Sequence, residues 1–208
     1  IYLFATHDNT LFRITHDKRI KTEWIKTSDD TSGSFDLIQV NTIDRYNEEK
    51  GYGYDLLPSP DGRTNAPYYF SVQVPDGNYR VTVTLGNRKK DGITTVRAES
   101  RRLFLENIKT QKGEFKTFTF VVNKRTPKIS EKEVVRIKPR EHSKLNWDDK
   151  LTLEFNGQAP QCVAIQIERD NKVPTIFLAG NSTVVDQDEE PWASWGQMIP
   201  RFFNESVK

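Results

Sequence analysis

One serine near the end of the chain stands where catalytic serines are found in α/β enzymes. Ser182 follows the apolar run of residues 175–179 (TIFLA) and the pair Gly180–Asn181. A short continuous apolar run is typical of a parallel strand buried on both faces, and open α/β sheets bind ligands at the carboxyl ends of such strands. A turn there would expose the Ser182 hydroxyl beside backbone N–H groups that stabilise an oxyanion. By itself, however, a Gly-x-Ser turn is more often an ordinary loop.

The residues after Ser182 complete a strand–loop–helix pattern. The loop is the acidic stretch 186–190 (DQDEE). After it, apolar residues fall at the i, i+3, i+4 and i+7 spacing of one helix face: Trp195, Met198, Ile199 and Phe202. This spacing predicts an amphipathic helix, which Pro200 would kink or shift. Strand, loop and helix form the first unit of an α/β domain, and the change of pattern predicts a domain boundary near Val173.

The acidic loop has two interpretations. Its carboxylates are Asp186, Asp188, Glu189 and Glu190. Carboxylate oxygens are ligands of hard cations, so the cluster could hold a metal ion. A solvated loop is the simpler interpretation, in which Asp186 and Gln187 line a possible substrate groove. We therefore predict neither a metal nor a cofactor.

Upstream of this unit, the chain has the alternation of antiparallel strands. In residues 79–85 (YRVTVTL), one face is apolar and the other is polar, the period-2 pattern of a half-buried strand. The same alternation recurs in three further runs: residues 118–122, 151–155 and 163–167. Turn sequences such as Asn156–Gly157 separate these runs. Many short strands of this kind predict a mainly-β fold, a β-sandwich of jelly-roll type. Residues 1–34 lack clear periodicity and are interpreted as an extension, with an edge strand near residues 11–14.

Composition excludes several classes of function. The chain has 31 basic and 29 acidic residues and a net charge of +2, whereas a nucleic-acid interface needs a dense basic face; the cluster at residues 88–90 (RKK) is interpreted as a solvated loop. No apolar run approaches the roughly 20 residues that span a bilayer. Cys162 has no second cysteine to pair with and lies in a strand pattern, so it is predicted to pack in the core. Neither nucleic acid nor membrane is expected as a partner.

The chain from about Phe35 onward resembles one family of enzymes. Residues 179–187 (AGNSTVVDQ) and 191–203 (PWASWGQMIPRFF) resemble the opening block of rhamnogalacturonan acetylesterases, which are SGNH (GDSL-like) hydrolases. Four stretches resemble the galactose-binding-like β-sandwich that precedes the esterase domain in bacterial members: residues 51–55, 70–86, 98–102 and 145–157. The resemblance implies an N-terminal extension over 1–34, a sandwich over 35–172, and the truncated start of an α/β/α SGNH domain over 173–208.

The resemblance also implies roles for residues of the serine block. Ser182 matches the nucleophile, and its backbone N–H would be one oxyanion donor. Gly180, Asn181 and Thr183 would support the turn. The family often has Gly-Asp-Ser where this chain has Gly180-Asn181-Ser182; an Asn side-chain oxygen can still cap the turn. The catalytic base of the family is a His in a later Asp-x-x-His block.

No histidine of this chain fits that base. His7, His16 and His142 all precede Ser182, and none stands in an Asp-x-x-His sequence. We interpret them as ordinary polar or surface residues. A serine without a base is a poor nucleophile, so we predict that residues 1–208 alone are inactive and that the remainder of the catalytic domain is missing.

These inferences predict a secreted or periplasmic carbohydrate esterase. It would remove acetyl groups from acetylated pectin, specifically rhamnogalacturonan, through attack by Ser182. The alternative is that the β-sandwich acts without catalysis, either as a carbohydrate-binding module or as a structural module. Binding to pectin fragments would separate these alternatives.

Overall fold

In the computed structural model, the structure is described for residues 2–6, 12–13, 35–39, 45–56, 67–170 and 172–204. The strands are β1 (Tyr2–Thr6), β2 (Phe12–Arg13), β3 (Phe35–Gln39), β4 (Tyr52–Asp55), β5 (Tyr68–Gln73), β6 (Gly77–Gly86), β7 (Gly92–Ala98), β8 (Arg102–Thr110), β9 (Phe115–Lys124), β10 (Lys150–Asn156) and β11 (Cys162–Arg169). One α-helix, α1 (Trp195–Met198), and short 3-10 helices at Pro139–Glu141, Leu145–Trp147 and Ile199–Phe202 complete the described elements.

Antiparallel sheets dominate the described part of the chain, as the sequence predicted. A five-stranded sheet has the order β4-β5-β10-β7-β8, and a four-stranded sheet has the order β2-β11-β6-β9. Strand β2 lies at the edge of the second sheet, next to β11, where the sequence predicted an edge strand. Strands β1 and β3 form a separate pair. The mainly-β prediction is therefore confirmed, while no α/β unit is formed by the residues described.

The core follows directly from strand alternation. Tyr79, Val81, Val83 and Leu85 of β6 are fully buried, whereas the intervening Arg80, Thr82 and Thr84 keep partial exposure. Side chains of both large sheets join one buried cluster; Phe104 of β8 stacks on Phe120 of β9 with ring centroids 4.6 Å apart. Each such buried apolar side chain stabilises the fold by about 1.5–3 kcal/mol.

Cys162 packs against this core as predicted. Burial raises the pKa of its thiol well above the ordinary value, so the reactive thiolate is disfavoured.

The apolar run at residues 175–179 is not a strand, which corrects the prediction of a buried parallel strand. The run pairs with no other strand in the described ranges, and Ile176, Phe177 and Leu178 are 48%, 73% and 42% exposed. A strand buried on both faces needs neighbours that cover it, and the described residues supply none. The run therefore lacks, among the described residues, the neighbouring strands that a buried strand would need.

The predicted helix is present but short, and it buries a different face. It consists of α1 followed by the 3-10 turn Ile199–Phe202, in which Pro200 occupies a first-turn position. Trp195 and Phe202, expected on the apolar face, are 51% and 75% exposed, while Gln197 is fully buried. Met198 and Ile199 of the predicted face are half-buried, so the amphipathic prediction holds only in part, and polar contacts such as that of Gln197 with Ser100 also hold this turn against the sandwich. None of the helices in the described ranges has the length and apolar character needed to cross a bilayer.

Candidate functional site

Ser182 is exposed on a tight turn that its neighbours fix by hydrogen bonds. The carbonyl of Asn181 accepts from the N–H groups of Val184 and Val185, at 2.9 and 3.1 Å. The Asn181 side-chain oxygen accepts from the N–H of Thr183 at 3.1 Å and from its hydroxyl at 2.7 Å. An Asn that caps its own turn in this way is a common loop device, and Ser182 in this turn is exposed.

Two small residues allow the turn to pack closely. A Cβ at Gly196 would collide with the carbonyl oxygen of Val184, and a Cβ at Gly180 would collide with the Val184 side chain. The Ser194 hydroxyl donates to the Val184 carbonyl at 3.0 Å. The start of α1 therefore rests directly on the serine turn.

Gln187 connects the serine turn to the β-sandwich. Its side-chain amide donates to the Ser182 carbonyl at 2.9 Å. Its own carbonyl accepts from the Arg101 guanidinium at 3.3 Å and from the Gln197 amide at 2.9 Å. Gln187 therefore supports the backbone of the turn, and it also lines the cleft beside Ser182.

The acidic loop is neutralised by the sandwich. Asp186 forms an ion pair with Arg102 at 2.9 Å and accepts from Asn146 at 3.3 Å. The other two ion-paired carboxylates of the loop are Asp188, which pairs with Lys144, and Glu190, which pairs with Arg97 and Arg101. Nearby Arg97 and Arg101 lower the pKa of Glu190. No cluster of potential metal ligands occurs among the described residues.

The turn between β7 and β8 contacts the segment that contains Ser182 and α1. Its residue Ser100 accepts from the buried Gln197 amide at 2.7 Å through its carbonyl, and its hydroxyl donates to Asn146 at 3.0 Å. Glu99, in the left-handed region with φ 54°, is 2% exposed and its carboxyl accepts from the N–H of Thr152 at 3.1 Å. Burial raises the pKa of Glu99 to about 8, and the nearby Arg102 opposes that rise.

Most of the site residues predicted around Ser182 line one cleft, whereas the one described histidine does not. Five of them line a cleft of about 1250 Å³ between this segment and the sandwich, namely Gly180, Asn181, Ser182, Asp186 and Gln187, whereas Thr183 is not part of the lining. His142 is exposed and is not among the residues lining that cleft, and His7 and His16 lie outside the described residues. No described side chain forms a hydrogen bond with the Ser182 hydroxyl. The structure therefore brings the serine, its turn and the acidic loop together, without a base among the residues described.

Sequence reasoning missed the buried glutamine that anchors the segment. Ser194 and Gln197 form a reciprocal pair: the Gln197 N–H donates to the Ser194 hydroxyl and the Ser194 N–H donates to the Gln197 amide oxygen, both at 3.1 Å. A Ser followed three residues later by Gln is the capping-box signature. That signature would have placed the helix start at Ser194.

Comparisons with known proteins give one sequence relative. No model of a known protein family matches the chain. The chain is similar to the uncharacterized esterase YxiM of Bacillus subtilis (strain 168), with 27% identity over 200 residues that cover 83% of this chain and 46% of YxiM. The chain therefore spans about half the length of this relative. The similarity relates the chain to a protein named as an esterase and does not extend to a substrate.

Two solved structures were also found. The crystal structure of the Bacillus subtilis YxiM protein matches with 21% identity and a TM-score of 0.39, over 96% of this chain and 53% of that one. TmCBM61 in complex with β-1,4-galactotriose matches with 9% identity and a TM-score of 0.19, over 81% and 84% of the two chains. Superpositions this loose carry no argument about function.

Proposed function

We propose that this chain is part of a serine carbohydrate esterase in which Ser182 is the nucleophile. The observation that carries the proposal is the exposed Ser182 hydroxyl on a braced turn at the edge of a large cleft. The sequence similarity to a protein named as an esterase supports the reaction class. The resemblance of the serine block to rhamnogalacturonan acetylesterases supports the same assignment.

The reaction would proceed through an acyl-enzyme. The Ser182 oxygen attacks the ester carbonyl, the sugar hydroxyl leaves, and water then hydrolyses the acetyl–serine ester to release acetate. The backbone N–H of Ser182 is one donor for the oxyanion. A general base must take the serine proton, and we propose that it lies in a portion of the catalytic domain outside this chain.

The exposed apolar run supports the need for that portion. Ile176, Phe177 and Leu178 lie next to the serine turn and are open to solvent. We propose that residues 173–208 begin the catalytic domain and that its remaining strands cover this run. The chain alone would then hold the nucleophile in a turn but would lack the base, and it would be inactive.

We propose acetylated pectin, specifically rhamnogalacturonan, as the substrate and a secreted or periplasmic location for the enzyme. Both rest on the resemblance of the serine block and the upstream sandwich to that family. The chemistry requires no cofactor.

The test is acetate release from acetylated rhamnogalacturonan by the gene product that includes this chain and the coding sequence after Lys208. We expect release that Ser182→Ala abolishes, and little release from acetylated xylan. A stop codon directly after Lys208, or release that Ser182→Ala leaves unchanged, would contradict the proposal.

A second candidate is a carbohydrate-binding module without catalysis. It is favoured by one observation, that no described side chain contacts the Ser182 hydroxyl as a base would. Under this candidate, pectin fragments bind to the chain, and the longer gene product has no Ser182-dependent turnover.

A further inference from the structure

The wall of the cleft that the sandwich provides is strongly basic. Seven basic and four acidic side chains line the cleft that also contains Ser182. Three of the acidic side chains are already ion-paired: Asp76 with Lys124, Asp186 with Arg102 and Asp188 with Lys144. The fourth, Glu141, accepts from the backbone N–H of Lys138. Each carboxylate of the cleft therefore already has a hydrogen-bond or ion-pair partner, while several cations of the cleft have no carboxylate partner among the described residues.

Arg125 is the remaining cation held in a defined position. It lies half-buried just after β9, and its guanidinium stacks on the Trp147 ring, 5.2 Å from the ring centroid. Within the described ranges, no carboxylate pairs with Arg125 and no hydrogen bond engages its guanidinium. The ring quadrupole attracts a cation placed over its face, so the position of the Arg125 guanidinium is favoured before any ligand arrives.

The surroundings of Arg125 favour an added negative charge. Burial and the positive charge of nearby Arg102 lower the pKa of the Arg125 guanidinium, whereas the carboxylates of Asp186 and Glu99 partly offset this; the group remains charged. Exposed Lys138 and Arg140 line the same cleft, and no carboxylate pairs with either in the described part of the chain. An anion at this position would accept from the N–H donors of Arg125, which have no hydrogen-bond partner among the described residues.

We infer that Arg125, lying over Trp147 in a cleft also lined by Lys138 and Arg140, forms a carboxylate-binding subsite for a uronic acid residue of an acidic oligosaccharide. The planar fork of a guanidinium matches the two oxygens of a carboxylate. A cleft of about 1250 Å³ exceeds the roughly 300–1,000 Å³ of sites for single small molecules, so an extended chain of sugars fits it better than one monosaccharide. A nucleic acid is disfavoured because the whole chain carries a net charge of only +2.

The subsite adds to the proposed function, since the choice of a saccharide rests on it. Ser182 and Arg125 line one cleft but belong to different regions, the serine turn and the sandwich. The sandwich would therefore select acidic polymer and present it to the serine turn. Binding at Arg125 does not require the catalytic base, so this chain suffices for the test.

The experiment is titration of the 208-residue protein, at low ionic strength, with oligogalacturonate and with its fully methyl-esterified form. Calorimetry and the fluorescence of the tryptophans both report binding. We expect the acidic form to bind and the ester to bind at least about tenfold more weakly, because a charge-assisted hydrogen bond is lost.

Matched variants locate the site. Arg125→Gln should weaken binding of oligogalacturonate by about tenfold or more. Arg136→Gln, the same change at an exposed position outside the cleft lining, should change it less than twofold. Arg125→Lys keeps the charge but loses the planar fork, so its affinity should fall between the two. If Arg125→Gln does not fold, as judged by thermal unfolding, Arg125→Lys compared with Arg136→Lys replaces that pair.

Several results would overturn the subsite: no binding, equal binding of the methyl ester, equal binding of inorganic polyphosphate, or equal losses in the Arg125 and Arg136 variants. Tight binding of single-stranded RNA in place of the sugar would also overturn it. Loss of this subsite with intact Ser182-dependent acetate release would leave the esterase proposal standing. Intact binding without such release would overturn the esterase proposal alone.

Discussion

The sandwich core and the segment over residues 173–204 are held by different kinds of contact. In the core, apolar side chains of both large sheets are buried together, as in β6 and β10. In the segment, polar Gln197 is fully buried, whereas several large apolar side chains are exposed, with Phe177 and Trp192 more than 70% exposed. The segment is attached to the sandwich through ion pairs and hydrogen bonds.

The difference in contacts between the two regions shows how the serine turn is positioned. The residues that fix it belong to the sandwich as much as to the segment, since Arg101 reaches Gln187 and Ser100 receives Gln197. A region attached by polar contacts is expected to open more easily than a core. We therefore expect the sandwich to be more stable than the segment. The serine turn is attached to the sandwich at the turn between β7 and β8.

The largest expected effect on the free energy of unfolding comes from making the same substitution, Phe to Ala, once in each region. Phe70→Ala removes a fully buried ring and should lower the free energy of unfolding by about 3–5 kcal/mol. Phe202→Ala, the matched control at a ring that is 75% exposed, should change it by about 0.5 kcal/mol or less. Urea denaturation of both variants measures this. Similar losses would mean that the segment packs through its apolar groups.

The pH dependence of stability should reveal the buried carboxyl at the junction. The pKa of Glu99 rises from its ordinary value of 4.5 to about 8, so the folded state keeps the proton to higher pH than the unfolded state. Stability should therefore fall as pH rises from about 5 to 8, by up to about 1.4 kcal/mol per pH unit. Glu99→Gln should flatten this slope in denaturation curves, while exposed Glu133→Gln should retain it. A steeper decline in Glu99→Gln would contradict the assignment.

A smaller and local effect is expected at Gln197. Gln197→Ala removes the amide that donates to the carbonyls of Ser100 and Gln187, at a cost of about 1–3 kcal/mol. Hydrogen exchange should become faster in residues 185–204, while exchange in β6 stays unchanged. Gln158→Ala, at an exposed loop position, is the control. Slower folding or uniform loss of protection throughout the sandwich would show that the two regions unfold as one.

The strands could be predicted from the sequence because their signal is local. In β6 and β10, side chains at every second position face the core, and that period is visible in residues 79–85 and 151–155 without knowledge of any partner. The run at 175–179 could not be predicted in the same way. Its composition suits a buried strand, but burial depends on neighbours that the described residues do not supply.

The candidate site was predictable in part. The sequence singled out Ser182, its turn and the acidic loop, and the structure brings all three to one cleft. The ion pairs of Asp186 and Glu190 with Arg102 and Arg97 could not be predicted, because they join residues about 90 positions apart across two regions. The contact of Arg125 with Trp147 also joins residues that are not neighbours in the sequence, although they are closer together than those pairs.

The measurement that tests the central claim most directly is hydrolysis of 4-nitrophenyl acetate by two proteins, the 208-residue chain and a longer protein that includes the proposed remainder of the catalytic domain. We predict that Ser182→Ala lowers the activity of the longer protein by at least about a thousandfold and leaves the background rate of the 208-residue chain unchanged. Turnover by the short chain that depends on Ser182 would contradict the claim that the base lies outside it. Turnover by the longer protein that survives Ser182→Ala would contradict the claim that Ser182 is the nucleophile.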